Sequence, residues 1–174
     1  MTILKNKPSL LSYESFIEVF QGVYEHSPWV AEQAWTEIDL SDEKGFFDDG
    51  FNLALIMKKI VDKSHKDKKL SLLNAHPDLA GKAALAGGVT RDSSNEQAGA
   101  GLDACSKEEL SHFHYLNTAY KEKNEFPFIM AVKGATKKII LESFEARINN
   151  SVDDEFAFAM EEVHKIALFR LLEK

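Results

Sequence analysis

The sequence predicts an all-α fold, a multi-helix bundle in a single domain over residues 1–174, with one short buried extended segment. Three observations carry this. Apolar residues recur at spacings of three and four along most of the chain, whereas alternation with a period of two is nearly absent. At 44% hydrophobic content, 174 residues suffice for one sizeable core, and nothing in the composition marks a second. Serine, threonine and aspartate recur ahead of the periodic stretches, where helix caps belong.

The elements follow in order. Phe16, Val19, Phe20 and Val23 form the stripe of a first helix. Ser27-Pro28 starts a second, a capping residue followed by proline at the first helical position, with Trp29, Val30 and Ala34 facing inward. Leu53, Ile56, Met57, Ile60 and Val61 predict a third helix, and the lysine-rich stretch Lys63 to Lys69, a solvated face, carries it on into Leu70 and Leu73. Pro77 ends it, because the residue before a proline is pushed out of the helical region, and His76 is left at a helix boundary. Gly87-Gly88 breaks the next short helix, and Thr90 to Asn95 offer a cluster of caps for the helix containing Glu96. Ser106-Lys107-Glu108-Glu109 has the capping-box pattern, with Leu110, Phe113, Asn117 and Tyr120 sharing the face behind it. The apolar run Phe126 to Val132, broken by Pro127 and too short for an ordinary helix, is the buried extended segment. Two helices close the chain, one around Ile139 to Ile148 and one from Asp153 onward.

Composition removes several function classes. With 21 bases against 28 acids the net charge is -7, so the attraction that holds proteins on nucleic acid or anionic lipid is missing, and neither partner is expected. No apolar run reaches the roughly 20 residues of a membrane span, Met1 to Lys7 lacks a secretory signal, and Leu172-Glu173-Lys174 is not the peroxisomal tripeptide. The single cysteine, Cys105, rules out an intramolecular disulfide and fits a reducing compartment, so the expectation is cytoplasmic. His112 and His114 are two apart and no H-E-x-x-H occurs, which argues against a metal. Gly81-Lys82 lacks the rest of a phosphate loop, and Cys105 carries no nucleophile signature.

Candidate chemistry gathers at His76-Pro77-Asp78-Leu79 and Ser93-Ser94-Asn95-Glu96-Gln97, which supply an imidazole, carboxylates, hydroxyls and amides beside turns or helix starts. Each group also has a plain structural reading. Ser93 and Glu96 have S-x-x-E spacing and would satisfy each other's helix N-terminal amides, while His76 would bond free carbonyls at a helix end. Arg170 falls on the face of Phe156, Met160, Val163 and Ile166, where an apolar residue is expected. It pairs there with Glu142, Glu145 or another acid, complements the helix dipole, or presents a forked donor to a substrate carboxylate.

The chain resembles the 2-oxo-4-hydroxy-4-carboxy-5-ureidoimidazoline decarboxylases nearly end to end. The resemblance is carried by Ser27-Pro28-Trp29-Val30, by Ala75 to Gly81, and by Ser93 with Glu96-Gln97-Ala98-Gly99-Ala100-Gly101-Leu102. Further on it is carried by Leu116-Asn117 with Tyr120, Phe126-Pro127-Phe128-Ile129, Arg147, Lys165-Ile166-Ala167 and Arg170-Leu171. It implies an all-helical, cofactor-free carboxy-lyase that forms (S)-allantoin in the last step of urate degradation, is a homodimer, and is linked functionally to urate oxidase and hydroxyisourate hydrolase. By motif position, His76, Glu96 and Arg170 match the family's key active-site residues, Ser93 and Gln97 its substrate contacts, and Pro77 with Phe128 and Ile129 its pocket wall. Two alternatives stay open: a non-catalytic helical protein of purine catabolism that binds a small molecule, and an interaction domain whose motifs are caps and core, with Arg170 paired internally.

Overall fold

Helices joined by tight, capped turns make up the computed structural model, which describes residues 2–81 and 88–174. Among the described residues these are α1 (Tyr13–Phe20), α2 (Trp29–Asp39), α3 (Gly50–Lys63), α4 (Lys66–Asn74), α5 (Arg91–Gly99), α6 (Lys107–Asn124), α7 (Lys137–Arg147) and α8 (Val152–Leu172). The extended pairing among them is one isolated bridge between Ile3 and Asp49, so the fold class is all-α as the periodicity predicts. No described helix is long and apolar enough to cross a membrane. The short helix expected before Gly87-Gly88 lies outside the described residues. The chain divides into two compact units, Met1–Leu72 with His164–Lys174, and Leu73–Val163.

In the first unit, α1 starts where Ser12 Oγ accepts the Ser15 amide, and Phe16 packs on Phe20 with ring centroids 4.7 Å apart. It ends at Phe20, earlier than the stripe suggested, because Gln21 and Gly22 turn the chain. Val23 is buried all the same, in the turn. Pro28 opens α2 with helical angles (φ −59°, ψ −25°), and Val30, Ala31, Ala34 and Ile38 form its buried face. Trp29 is half-buried beneath the Lys68 ammonium, 4.7 Å from its ring centroid. The sequence suggested one helix through the lysine-rich stretch; the structure has two. Ser64 is extended, and its N–H and hydroxyl both satisfy the Val61 carbonyl at 3.0 and 2.7 Å, while Lys69 Nζ takes the Asp62 carbonyl at 2.7 Å. These bonds give the exposed carbonyls of the last α3 turn partners that a continued helix would not need. Gly50 opens α3 because a Cβ there would lie 2.7 Å from Leu172 Cδ2 and 3.0 Å from Leu4 Cδ2.

The first unit also holds a polar chain that runs from buried Tyr24 and His164 out to the exposed Asp62. Tyr24 Oη meets His164 Nδ1 at 2.8 Å, His164 Nε2 meets Asp62 Oδ1 at 3.1 Å, and Lys58 Nζ closes on Asp62 Oδ2 at 3.1 Å. Burial pushes the Tyr24 hydroxyl well above the usual phenol range, with the Asp62 charge adding to it. Burial would also raise the Asp62 carboxyl, but the bond from Lys58 and the contact with His164 outweigh it and hold it below its ordinary value.

In the second unit Ser106 and Glu109 form the expected capping box, the Ser106 hydroxyl accepting the Glu109 amide at 3.2 Å and the Glu109 carboxylate accepting the Ser106 amide at 2.7 Å. Phe113, Leu116, Asn117 and Tyr120 are the buried face of α6. Thr136 caps α7, which buries Ile140 and Phe144 and leaves Ile139 exposed. Between them Phe126, Phe128, Ile129 and Val132 are buried without helix or strand, as the proline-broken run predicts. The segment is held by Glu155 of α8, which has no exposed surface. That carboxylate accepts from the Tyr120 hydroxyl, from Arg147 Nη2 at 2.9 Å and from Asn150 Nδ2 at 2.8 Å. Arg147 Nη1 then donates to the Ile129 carbonyl at 2.9 Å, and the guanidinium lies 4.4 Å from the Phe128 ring centroid. Phe128 stacks on Phe144 with centroids 3.9 Å apart, and Tyr120 meets both rings edge-on. Burial, then the bond to Glu155, push the Tyr120 hydroxyl far above its usual range.

Three stability predictions follow from these contacts. Glu155→Ala strands a partly buried arginine and should cost about 3–5 kcal/mol in chemical denaturation; a loss below about 1 kcal/mol would mean that Arg147 escapes to water. Ser106→Ala removes one cap and should cost about 1 kcal/mol in the same assay, against no change if α6 is held by packing alone. The Asp62 carboxyl is more acidic folded than unfolded, so its contribution is present above the ordinary carboxylate range and lost as pH falls through the depressed value. Melting temperatures of Asp62→Asn should therefore fall less steeply with acidification than those of the parent protein.

Candidate active site

The stretch that carries His76 follows the end of α4 at Asn74. The His76 amide closes a turn on the Leu73 carbonyl at 3.1 Å, and its side chain is buried, with 8% of the residue exposed. Pro77 follows, half-buried, and the helix has ended as the pre-proline position requires. The chain then turns sharply. Ala80 takes a left-handed conformation (φ +51°), which costs a residue with a Cβ, and a Cβ on Gly81 would sit 2.7 Å from Asp78 Cβ.

Helix α5 supplies the next group. Its cap is Thr90, whose hydroxyl accepts the Ser93 amide at 3.3 Å, so Ser93 lies inside the helix and its amide, not its hydroxyl, takes part in the cap. The capping-box reading of Ser93 and Glu96 therefore fails. At i, i+3 and i+4 these residues share one side of α5, with Ser93 and Gln97 buried and Glu96 half-buried. Gln97 ties this helix to the His76 stretch, its Oε1 accepting the Ala80 amide at 3.0 Å and its Nε2 donating to the Asp78 carbonyl at 3.4 Å. The predicted substrate contact is thus also a brace.

His76, Pro77, Ser93, Glu96, Gln97, Phe128 and Ile129 all belong to the second unit. Their chemistry is that of a small acid–base site: an imidazole and a carboxylate able to exchange protons, with a hydroxyl and an amide to orient a polar ligand. Arg170 belongs to the first unit, 4% exposed, and pairs with the equally buried Glu25. The other candidate partners are engaged elsewhere, Glu145 with His112 at 3.3 Å and Glu142 with Lys138 at 3.8 Å. Glu25 was not singled out from sequence, because an acid in a turn has an ordinary solvated explanation. Glu155 was missed for the same reason, since the start of a helix is where exposed acids are ordinary. Burial and the nearby Glu109 raise the Cys105 thiol, which opposes a nucleophilic role. Among the described residues no group of three or more His, Cys, Asp or Glu is arranged to hold a metal ion.

Comparison with known proteins identifies the family of the chain. The model of the OHCU decarboxylase family matches residues 9–172. The 2-oxo-4-hydroxy-4-carboxy-5-ureidoimidazoline decarboxylase of Haloferax volcanii is 39% identical over 164 residues, 94% of this chain and 91% of that one. A uric acid degradation bifunctional protein of Bacillus sp. is 36% identical over 163 residues, 94% of this chain but 30% of its own. Among solved structures, that of (S)-allantoin synthase superposes with a TM-score of 0.73 at 36% identity, covering 95% of this chain and about half, 52%, of that one. With a match that leaves out only the first and last few residues, the chain belongs to the OHCU decarboxylase family.

Proposed function

We propose that this protein decarboxylates 2-oxo-4-hydroxy-4-carboxy-5-ureidoimidazoline to (S)-allantoin, the last step of urate degradation to allantoin. The observation that carries the reading is the family match over residues 9–172, which spans the buried His76 turn and the Ser93, Glu96 and Gln97 side of α5. The reaction breaks the bond between the ring carbon and its carboxylate. The electron pair moves into the adjacent imidazoline system, and a proton returns to one face of that carbon. Such a step calls for positioning, stabilisation of developing ring charge and a proton donor on one side.

His76 is the proton donor in this scheme, because imidazole exchanges protons near neutral pH, and Glu96 holds the ring hydroxyl so that the leaving carboxylate stands clear of the ring. Ser93 and Gln97 orient the ureido and ring polar groups, and Pro77, Phe128 and Ile129 form the apolar wall. Arg170 is assigned orientation and not simple charge neutralisation. Too firm a grip on the carboxylate would stabilise the ground state and oppose its loss, and the Glu25 carboxylate already offsets part of the guanidinium charge. A cytoplasmic homodimer acting after urate oxidase and hydroxyisourate hydrolase completes the reading; the bifunctional relative supports the link to urate degradation.

One observation favours a second reading, an interaction domain whose motifs are caps and core: Arg170 is paired internally. The experiment that separates them follows the circular dichroism of allantoin while substrate is generated in place from urate by urate oxidase and hydroxyisourate hydrolase. The spontaneous product is racemic. A rapid protein-dependent (S) signal that drops on the order of 100-fold or more in folded His76→Ala and Glu96→Ala is expected. Racemic product at the background rate would establish an interaction domain, or binding alone where a ligand stabilises the folded protein.

A further inference from the structure

The stretch from Asn74 to Gly81 is strung antiparallel along α6. Asn74 Nδ2 donates to the Glu125 carbonyl at 3.1 Å, Lys121 Nζ meets Asp78 Oδ2 at 2.6 Å, and Asn117 Nδ2 donates to the Leu79 carbonyl at 2.9 Å. Positions 117 and 121 lie one turn apart on one helix face, and Glu125 is the left-handed residue that caps the end of α6. The contacts differ in weight. The Lys121 pair is exposed to water and adds little, whereas Asn117 is 3% exposed and its bond is buried. The carbonyl it holds belongs to the residue before left-handed Ala80, whose amide is held by Gln97 from the other side. Asn117 Oδ1 finds no partner among the described residues, a cost that an apolar side chain of the same size would avoid. A strained backbone persists only where its surroundings over-determine it, and such strain concentrates at functional sites.

We infer that Asn117 is a positioning residue for His76: by fixing the Leu79 carbonyl it locks the left-handed turn at Ala80 and so sets where the imidazole stands relative to α5, which carries Glu96. The catalytic part of this inference rests on the function proposed above; the positioning part does not. The Asn117 side chain itself reaches backbone and not substrate.

Asn117→Ala should lower kcat for (S)-allantoin at least tenfold, toward the roughly 100-fold that a misplacement of about 1 Å costs, with KM little changed. Because truncating a buried amide also lowers stability, the decisive variant is the double one, Asn117→Ala with Ala80→Gly. Glycine takes the left-handed conformation without strain and should return the melting temperature toward the parent value. A positioning role predicts that kcat stays low in that variant; recovery of kcat together with stability would show a purely structural role and overturn the inference. The His76 ring C–H resonance, identified by its loss in His76→Gln, should shift at fixed pH in Asn117→Ala, and an unmoved resonance would equally overturn it. That signal is read without turnover, so a parent protein that makes no (S)-allantoin would sink the proposed function while the resonance still decides the role of Asn117. Should Asn117→Ala fail to fold, Asn117→Gln, which keeps the N–H donor on a longer arm, is read by the same two measurements, a displaced resonance and lowered kcat supporting the inference and parent values of both opposing it.

Discussion

A carboxylate with no exposed surface, Glu155, is the constraint on which the second unit depends. An ionised group in that position is tolerated only if its oxygens are fully engaged and an opposite charge is close, because desolvation costs several kcal/mol per ion. Arg147, Tyr120 and Asn150 meet that demand, and meeting it fixes where three separate parts of the chain must stand. Arg147 then passes the constraint to the proline-broken segment through the Ile129 carbonyl and the Phe128 face. That segment has no ladder of its own to supply backbone partners, so without the guanidinium its buried carbonyl would be a liability. The aromatic stack of Phe128 on Phe144 follows from the same placement, and the apolar wall proposed for the site is thereby a consequence of an ion pair.

Helix α8 shows the same logic along its length. Glu155, His164 and Arg170 are buried polar residues on a helix otherwise lined by Ala159, Met160, Val163, Ile166, Ala167 and Leu171. Each has a partner outside the helix: nearby Arg147 for Glu155 in the second unit, and in the first unit the sequence-distant Tyr24 and Asp62 for His164 and Glu25 for Arg170. Burying three such groups on one helix contributes little net stability compared with apolar residues of similar size. What the pairs do is specify: within each unit a slip of this helix would separate its buried polar groups from the partners they now have, so alternative packings there are penalised more than the native one is rewarded.

Much of the fold is legible in the sequence because its signals are local. The capping box at Ser106, the proline start at Pro28, the stop before Pro77 and the apolar stripe of α3 all depend on residues within one or two turns of each other, and the structure has them. Errors arise where a local pattern competes with a contact outside the window. Ser93 and Glu96 match a capping box, yet Thr90 stands three residues before Ser93 and caps first. The lysine-rich stretch is periodic enough for one helix, yet Ser64 and Lys69 can satisfy the carbonyls that a break exposes. The partners Glu25 and Glu155 were illegible for a different reason. An acid near a helix start or in a turn has an ordinary solvated explanation, and burial of this kind is decided by residues more than a hundred positions away for Glu25, though fewer than ten for Arg147 and Glu155.

A decarboxylation that uses the substrate's own ring as electron acceptor leaves the protein with little to supply except geometry and a proton. Geometry is then where the binding energy must go, because only interactions that improve on the way to the transition state raise the rate. The residues around His76 answer to that need in a specific way. A flexible turn would have been cheaper: glycine at position 80 would relieve the left-handed strain, and a solvated loop would need neither Gln97 nor Asn117. Instead an alanine is held at φ +51° by an amide from α5 on one side and an amide from α6 on the other, with the imidazole four residues upstream. Strain of this kind stiffens a loop, because each tie closes off conformations that the backbone would otherwise prefer. In the proposed scheme, a proton donor carried on such a turn would reach one face of a planar intermediate and not the other, and a single enantiomer of product is the chemical result expected of that rigidity.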